Sequence, residues 1–140
     1  MSARSKARKH ALDLLYEADI RNSSAIDLLA LRDVHEDGPD ARPVREFTKV
    51  LIAGVTDNKR KIDELIATYA QGWDMDRLPA VDRNILRLGI YEIVWSTDLD
   101  DGIAIDEALT LAKDLSTDES AGYIHGVLGR ISSIKESIAI

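Results

Sequence analysis

Apolar residues recur at intervals of three and four along nearly the whole of this chain, and no stretch alternates strictly between apolar and polar. That spacing is the period of a helix that buries one face, so helix-on-helix packing is the architecture open to it. A first helix is predicted over roughly residues 4–21, with Ala7, Ala11, Leu14, Leu15 and Ala18 on one stripe. Ser24 can cap a short second helix carrying Ile26, Leu29, Leu31 and Val34, with Asp27 completing a weak capping box. Gly38-Pro39-Asp40 and a second proline mark His35 to Pro43 as a loop. A long helical pattern then runs from Val44 to Tyr69, with Thr56-Asp57-Asn58 placed to break or bend it and Gly72 to end it. Trp73 to Pro79 links to a second half. There Val81, Ile85, Leu88, Tyr91 and Trp95 face one way, Asp98 to Gly102 turns, and Ile105, Ala108, Leu109, Ala112 and Leu115 mark a further helix. Ser116 or Thr117 can cap the last helix, which carries Ile124, Val127, Leu128, Ile131, Ile134 and Ile138. The expectation is an all-α fold of six to seven helices without a sheet. It forms one domain of two packed bundles, residues 1–73 and 79–140, neither of which easily buries its apolar faces alone.

What is missing narrows the chemistry. There is no cysteine, so disulfides and thiolate metal sites are excluded. No apolar stretch approaches the ~20 residues of a membrane span. Asp13 and Glu17 interrupt the run that a signal peptide would need, so a cytoplasmic protein is expected. No glycine-rich phosphate loop or nucleophile elbow is present. His10, His35 and His125 are far apart, and Asp74 and Asp76 lack the other ligands of a calcium loop. No catalytic residue, metal or cofactor is expected.

The charge distribution is uneven. The chain has a net charge of −7, yet Arg4, Lys6, Arg8 and Lys9 fall within its first ten residues, which hold no acid. On an acidic protein such a cluster is either a docking site for phosphate or a solvated tail. At about 100° per residue, Arg8, Leu12 and Tyr16 share a flank of the first helix, with Ser5 and Lys9 beside them. Cations there can pair phosphate, and a tyrosine two turns on offers a ring to an unpaired base. Alternatively, Tyr16 covers the edge of the core. Arg8 stands five residues before Asp13, a poor ion-pair spacing, so the charges are not obviously neutralised within their own helix.

Three further features stand out. Gly122, Gly126 and Gly129 strip one face of the last helix, which suits close helix packing or backbone exposed to a ligand. Ser116-Thr117-Asp118-Glu119-Ser120 reads as a well-capped start to that helix. Ser120 could also donate to RNA, towards bases because the adjacent acids repel phosphate. Asp82, Arg83, Arg87 and Glu92 fall outside the apolar stripe of their helix and read as surface charges.

Arg8-Lys9-His10-Ala11-Leu12-Asp13-Leu14-Leu15-Tyr16-Glu17, Leu78-Pro79-Ala80-Val81-Asp82-Arg83-Asn84-Ile85-Leu86-Arg87-Leu88-Gly89-Ile90-Tyr91-Glu92, Ile105-Asp106-Glu107-Ala108-Leu109-Thr110-Leu111-Ala112-Lys113 and Tyr123-Ile124-His125-Gly126-Val127-Leu128-Gly129 resemble, in order and spacing, the bacterial NusB antitermination family. The resemblance spans nearly the whole chain. It implies two helical bundles that bind boxA RNA, a single-stranded element of ribosomal RNA leaders. Binding is joint with the ribosomal protein NusE, inside a transcribing RNA polymerase antitermination complex. It places Arg4, Lys6, Arg8, Lys9, Tyr16, Glu119, Ser120 and Tyr123 on the RNA side and ties the position of Asp82 to complex assembly. Two departures are visible: His125 stands where the family usually has asparagine, and the basic cluster is thinner than in arginine-rich members. About four phosphate contacts would make log K fall with log salt at a slope near −3.

Two other readings compete. One is a helical interaction module that self-associates or scaffolds through its helices without touching RNA, which a stable homodimer burying residues 4–16 would favour. The other is the non-catalytic part of an rRNA methyltransferase system. These 140 residues hold no nucleotide-binding βαβ unit, so catalysis would need a separate polypeptide.

Overall fold

The computed structural model describes residues 2–35, 44–72, 77–96 and 98–139. Six α-helices follow in order among the described residues: α1 (Ala3–Arg21), α2 (Ala25–His35), α3 (Glu46–Tyr69), α4 (Ala80–Val94), α5 (Asp101–Leu115) and α6 (Asp118–Ile134). A 3-10 turn, Lys135–Ser137, follows α6. No strand occurs among the described residues. The expected loop at Gly38-Pro39-Asp40 and the link residues 73–76 lie outside the described residues.

Caps set several boundaries. The Ser2 hydroxyl accepts from the Ser5 amide at 3.0 Å, and Ser24 from the Asp27 amide at 3.2 Å. Thr117 caps α6 by accepting from the Ser120 amide at 2.9 Å. Asn22 ends α1 in the left-handed region at φ 54°, a conformation that asparagine tolerates. Gly72, at φ +91°, turns the chain after α3. The expected break at Thr56-Asp57-Asn58 does not occur, and α3 is continuous. The Asn58 side-chain amide donates to the Gly54 carbonyl one turn back, at 2.8 Å. Buried Val55 and Ile62 hold the helix against the core on either side of that point.

At the centre lies α4, packed against α1, α3, α5 and α6. It is buried nearly all round, and the apolar core runs without interruption from Leu14 and Ile52 to Ile124 and Leu128. A helix enclosed in this way must pair whatever polar groups it carries. Asp82, Asn84, Arg87 and Glu92 are all buried, so the reading of the α4 charges as a solvated face is overturned. The signal was available: Ile85, Leu86, Leu88, Ile90 and Ile93 cover more than one face of the helix.

Two glycines that the sequence pattern does not distinguish are the close-packed ones. A Cβ at Gly54 would collide with the Tyr91 ring, and one at Gly89 would stand 2.8 Å from Leu128 Cδ1. Gly122, Gly126 and Gly129 are the reverse: a Cβ at any of them meets nothing among the described residues within 4 Å. The packing explanation for that strip therefore fails. Gly89→Ala should destabilise the protein by about 1–3 kcal/mol, because Leu128 is fully buried and cannot retreat. Gly126→Ala should stabilise it by up to ~1 kcal/mol through helix propensity alone. Urea midpoints that move in the same direction for both variants would refute this contrast.

Candidate nucleic-acid interface

The N-terminal cluster is presented by α1, which lies antiparallel to α4. Near one end Arg8 meets Glu92, and near the other Asp19 meets Arg83. Arg8 and Asp19 stand eleven positions apart, about 16 Å along the helix.

Arg8 does not face solvent. It is 4% exposed, and its Nε donates to Glu92 Oε1 at 2.7 Å. Its Nη1 lies 3.6 Å from Glu107 Oε1, which also accepts the Ser5 hydroxyl at 2.7 Å. The Arg4 and Arg8 guanidinium groups sit 4.5 and 5.1 Å from the centre of the Phe47 ring, a cation–π arrangement. Burial pushes the Glu92 carboxyl above its ordinary range, and the hydrogen bond and charge of Arg8 pull it partly back. Arg8 thus fastens α1 to α4 and α5 and is not available to a phosphate in this arrangement. The flank expected to hold Arg8, Leu12 and Tyr16 together divides, since Arg8 and Leu12 turn inward and Tyr16 remains 39% exposed.

The other cations differ. Lys9 pairs with Asp13 one turn on, at 2.7 and 2.8 Å, so part of the positive charge is neutralised within its own helix, contrary to expectation. This exposed pair is weak and leaves the ammonium at the surface. Arg4 and Lys6 are exposed. The surface of α1 therefore carries Arg4, Lys6 and Lys9 towards one end and Tyr16 towards the other. About 18 Å of helix separates Arg4 from Tyr16.

The start of α6 lies beside the start of α4. Ser120 is 8% exposed, and its hydroxyl donates to Asp82 Oδ2 at 2.8 Å and receives the Thr117 hydroxyl at 3.0 Å. Asp82 is 0% exposed. Neither side chain lies on the surface, so Ser120 is not placed to donate to RNA, nor Asp82 to touch a partner. Both hold the first turn of α6 in place. Glu119 is exposed, and Tyr123 is partly buried with its hydroxyl 3.4 Å from the Gln71 carbonyl. Tyr16 and the beginning of α6 lie towards the same end of α4, and the cations towards the opposite end.

Phe47, Glu92 and Glu107, which set the position of Arg8, escaped the sequence reading because they lie on three other helices. No group of three or more potential metal ligands occurs among the described residues, and none of their helices is long and apolar enough to cross a membrane.

Fold and geometry define an all-α protein of packed helical bundles whose first helix displays cations and a tyrosine. The chain belongs to the NusB family, whose model matches residues 5–133. It is 51% identical over 139 residues to the transcription antitermination protein NusB of Saccharopolyspora erythraea, covering 99% of this chain and 92% of that one. Among solved structures, NusB of T. maritima superposes with a TM-score of 0.79 at 28% identity, covering 98% of this chain and 99% of that one. NusB from a crystal structure of NusB and NusE in complex with dsRNA superposes with a TM-score of 0.76 at 26% identity, covering 93% and 96%.

Proposed function

We propose that this protein is a cytoplasmic, non-catalytic transcription antitermination factor that binds boxA-type RNA of ribosomal leaders together with NusE, within a transcribing RNA polymerase complex. The observation that carries the reading is the outer surface of α1, where exposed cations and a half-exposed phenol lie along one helix of a family whose solved relatives include a complex with NusE and RNA. Arg4, Lys6 and Lys9 pair phosphates, while Tyr16, Tyr123 and the exposed Glu119 face bases. Arg8, Ser120 and Asp82 are positioning residues, holding α1 and α6 at the angles this surface requires. Stacking on Tyr16 needs a base free of its duplex partner, which favours single-stranded over double-stranded RNA. NusE adds contacts of its own, so two weak surfaces share one strand.

The test is a fluorescence titration with a boxA-type oligonucleotide and a scrambled control, each with and without NusE. With about three phosphate contacts the log–log salt slope should be near −2, and Arg4→Ala with Lys6→Ala should flatten it by about 1.4. An unchanged slope in that double variant, or no preference over the scrambled strand with NusE present, would overturn the proposal.

A further inference from the structure

Between the carboxyl end of α3 and the outer face of α6 runs an open groove of about 710 Å³, and of the residues assigned to RNA above only Tyr123 lines it. Tyr69 and Gln71 form one wall, while Gly122, Tyr123, Gly126 and Arg130 form the other. Among the described residues, nothing lies within 4 Å of a Cβ built at Gly122 or Gly126. Arg130 is exposed, and its guanidinium has no hydrogen-bond or ion-pair partner among the described residues.

We propose that this groove is a second RNA subsite, taking two or three unpaired nucleotides that continue the strand past Tyr123. The inference rests on the RNA-binding reading above and extends it to Tyr69 and Arg130. Three properties select the occupant. Two partly buried phenol rings, Tyr69 and Tyr123, line the groove, and a ring can stack on any base. The bare backbone at the glycines lets a flat base approach closer than any side chain would permit. One unpaired guanidinium waits at the far end for a phosphate. Tyr123 and Arg130 are seven residues apart, about 10 Å along α6, which suits two or three stacked nucleotides at ~3.4 Å each. Polarity follows from charge: exposed Glu119 repels phosphate at the near end, so bases enter there and the backbone meets Arg130.

The experiment titrates the full chain with NusE against labelled single-stranded RNAs of about twelve and about six nucleotides. The variants are Gly126→Leu, which fills the groove, Arg130→Ala, and Tyr16→Leu as a marker of the first site. Gly126→Leu should weaken the longer RNA about tenfold and leave the shorter one unchanged. Arg130→Ala should flatten the salt slope of the longer RNA by about 0.7. If both groove variants bind the longer RNA like the parent while Tyr16→Leu is weakened, the subsite is overturned and the α1 site stands. If the parent protein binds neither RNA, both fall. If the groove variants keep RNA affinity but lose NusE capture, or change mass in light scattering, the groove belongs to a protein and the proposal fails.

Discussion

Replacing Arg8 by alanine is expected to destabilise the fold by about 3–5 kcal/mol, the range for stranding one member of a buried ion pair. Arg8 and Glu92 are 5% and 3% exposed at their side chains, so little water reaches either charge. Without the guanidinium, the Glu92 carboxylate stays buried beside Glu107 with no hydrogen-bonded cation and only the weaker charge of Arg4, and the Phe47 ring loses one of its two covers. Urea denaturation reports the loss as a lower midpoint at unchanged m. The sign of the pH dependence follows from Glu92. Burial already raises its pKa, and loss of the Arg8 hydrogen bond and charge raises it further. A carboxyl whose folded pKa is raised favours the folded state at low pH and opposes it as pH climbs through that value. The gap between parent and variant should therefore be widest at neutral pH and narrow on acidification as Glu92 takes up a proton. Glu92→Gln placed in the Arg8→Ala background should recover part of the loss, because the stranded charge is gone. A midpoint within experimental error of the parent would show that Arg8 is not an anchor.

Asp19→Ala should cost about 2–3 kcal/mol. Its Oδ2 accepts from Arg83 Nε at 2.8 Å, Asn84 Nδ2 at 2.9 Å and Arg87 Nη1 at 3.2 Å, so one oxygen holds three side chains of α4. Asn84 and Arg87 are buried and would be left short of an acceptor. The effect is smaller than at Arg8 because Asp63 retains Arg87 through bonds of 2.8 and 3.1 Å, and because Asp19 keeps 17% side-chain exposure. Burial raises the Asp19 pKa, but hydrogen bonds from Arg83 and Asn84 and the charges of Arg87 and Arg83 outweigh it and hold the carboxyl below its ordinary 3.8. A depressed acid contributes stability that is complete above the unfolded value and vanishes as pH falls through the folded one. The difference between parent and Asp19→Ala should accordingly be constant near neutrality and shrink only in strong acid, below about pH 4. A difference that persisted unchanged at pH 2 would assign the loss to packing.

Periodicity made the helices legible because a helix that buries one face repeats in its own sequence. The Ser24 and Thr117 caps depend on residues within three positions of each other, and these were readable. Contacts between helices were not. Arg8 looks like its neighbours Arg4 and Lys6 in the sequence, and only the arrival of Glu92 and Glu107 from two other helices separates an anchor from a surface cation. Ser120 and Asp82 were misread for the same reason: a hydroxyl at a helix start looks available until a carboxylate 38 positions away accepts it. The glycines show the reverse error. Spacing suggested that Gly122, Gly126 and Gly129 admit a neighbouring helix, while Gly54 and Gly89, which do meet a neighbour, stand singly in their helices and carry no pattern.

The first helix is pinned near both extremities, by Arg8 to Glu92 and by Asp19 to the beginning of α4. A rod held at two points does not pivot between them, so Lys9 and Tyr16 keep a constant spacing. Any incoming polymer meets a template whose ordering was completed when the domain folded, and the entropy lost on capture is then mostly that of the polymer.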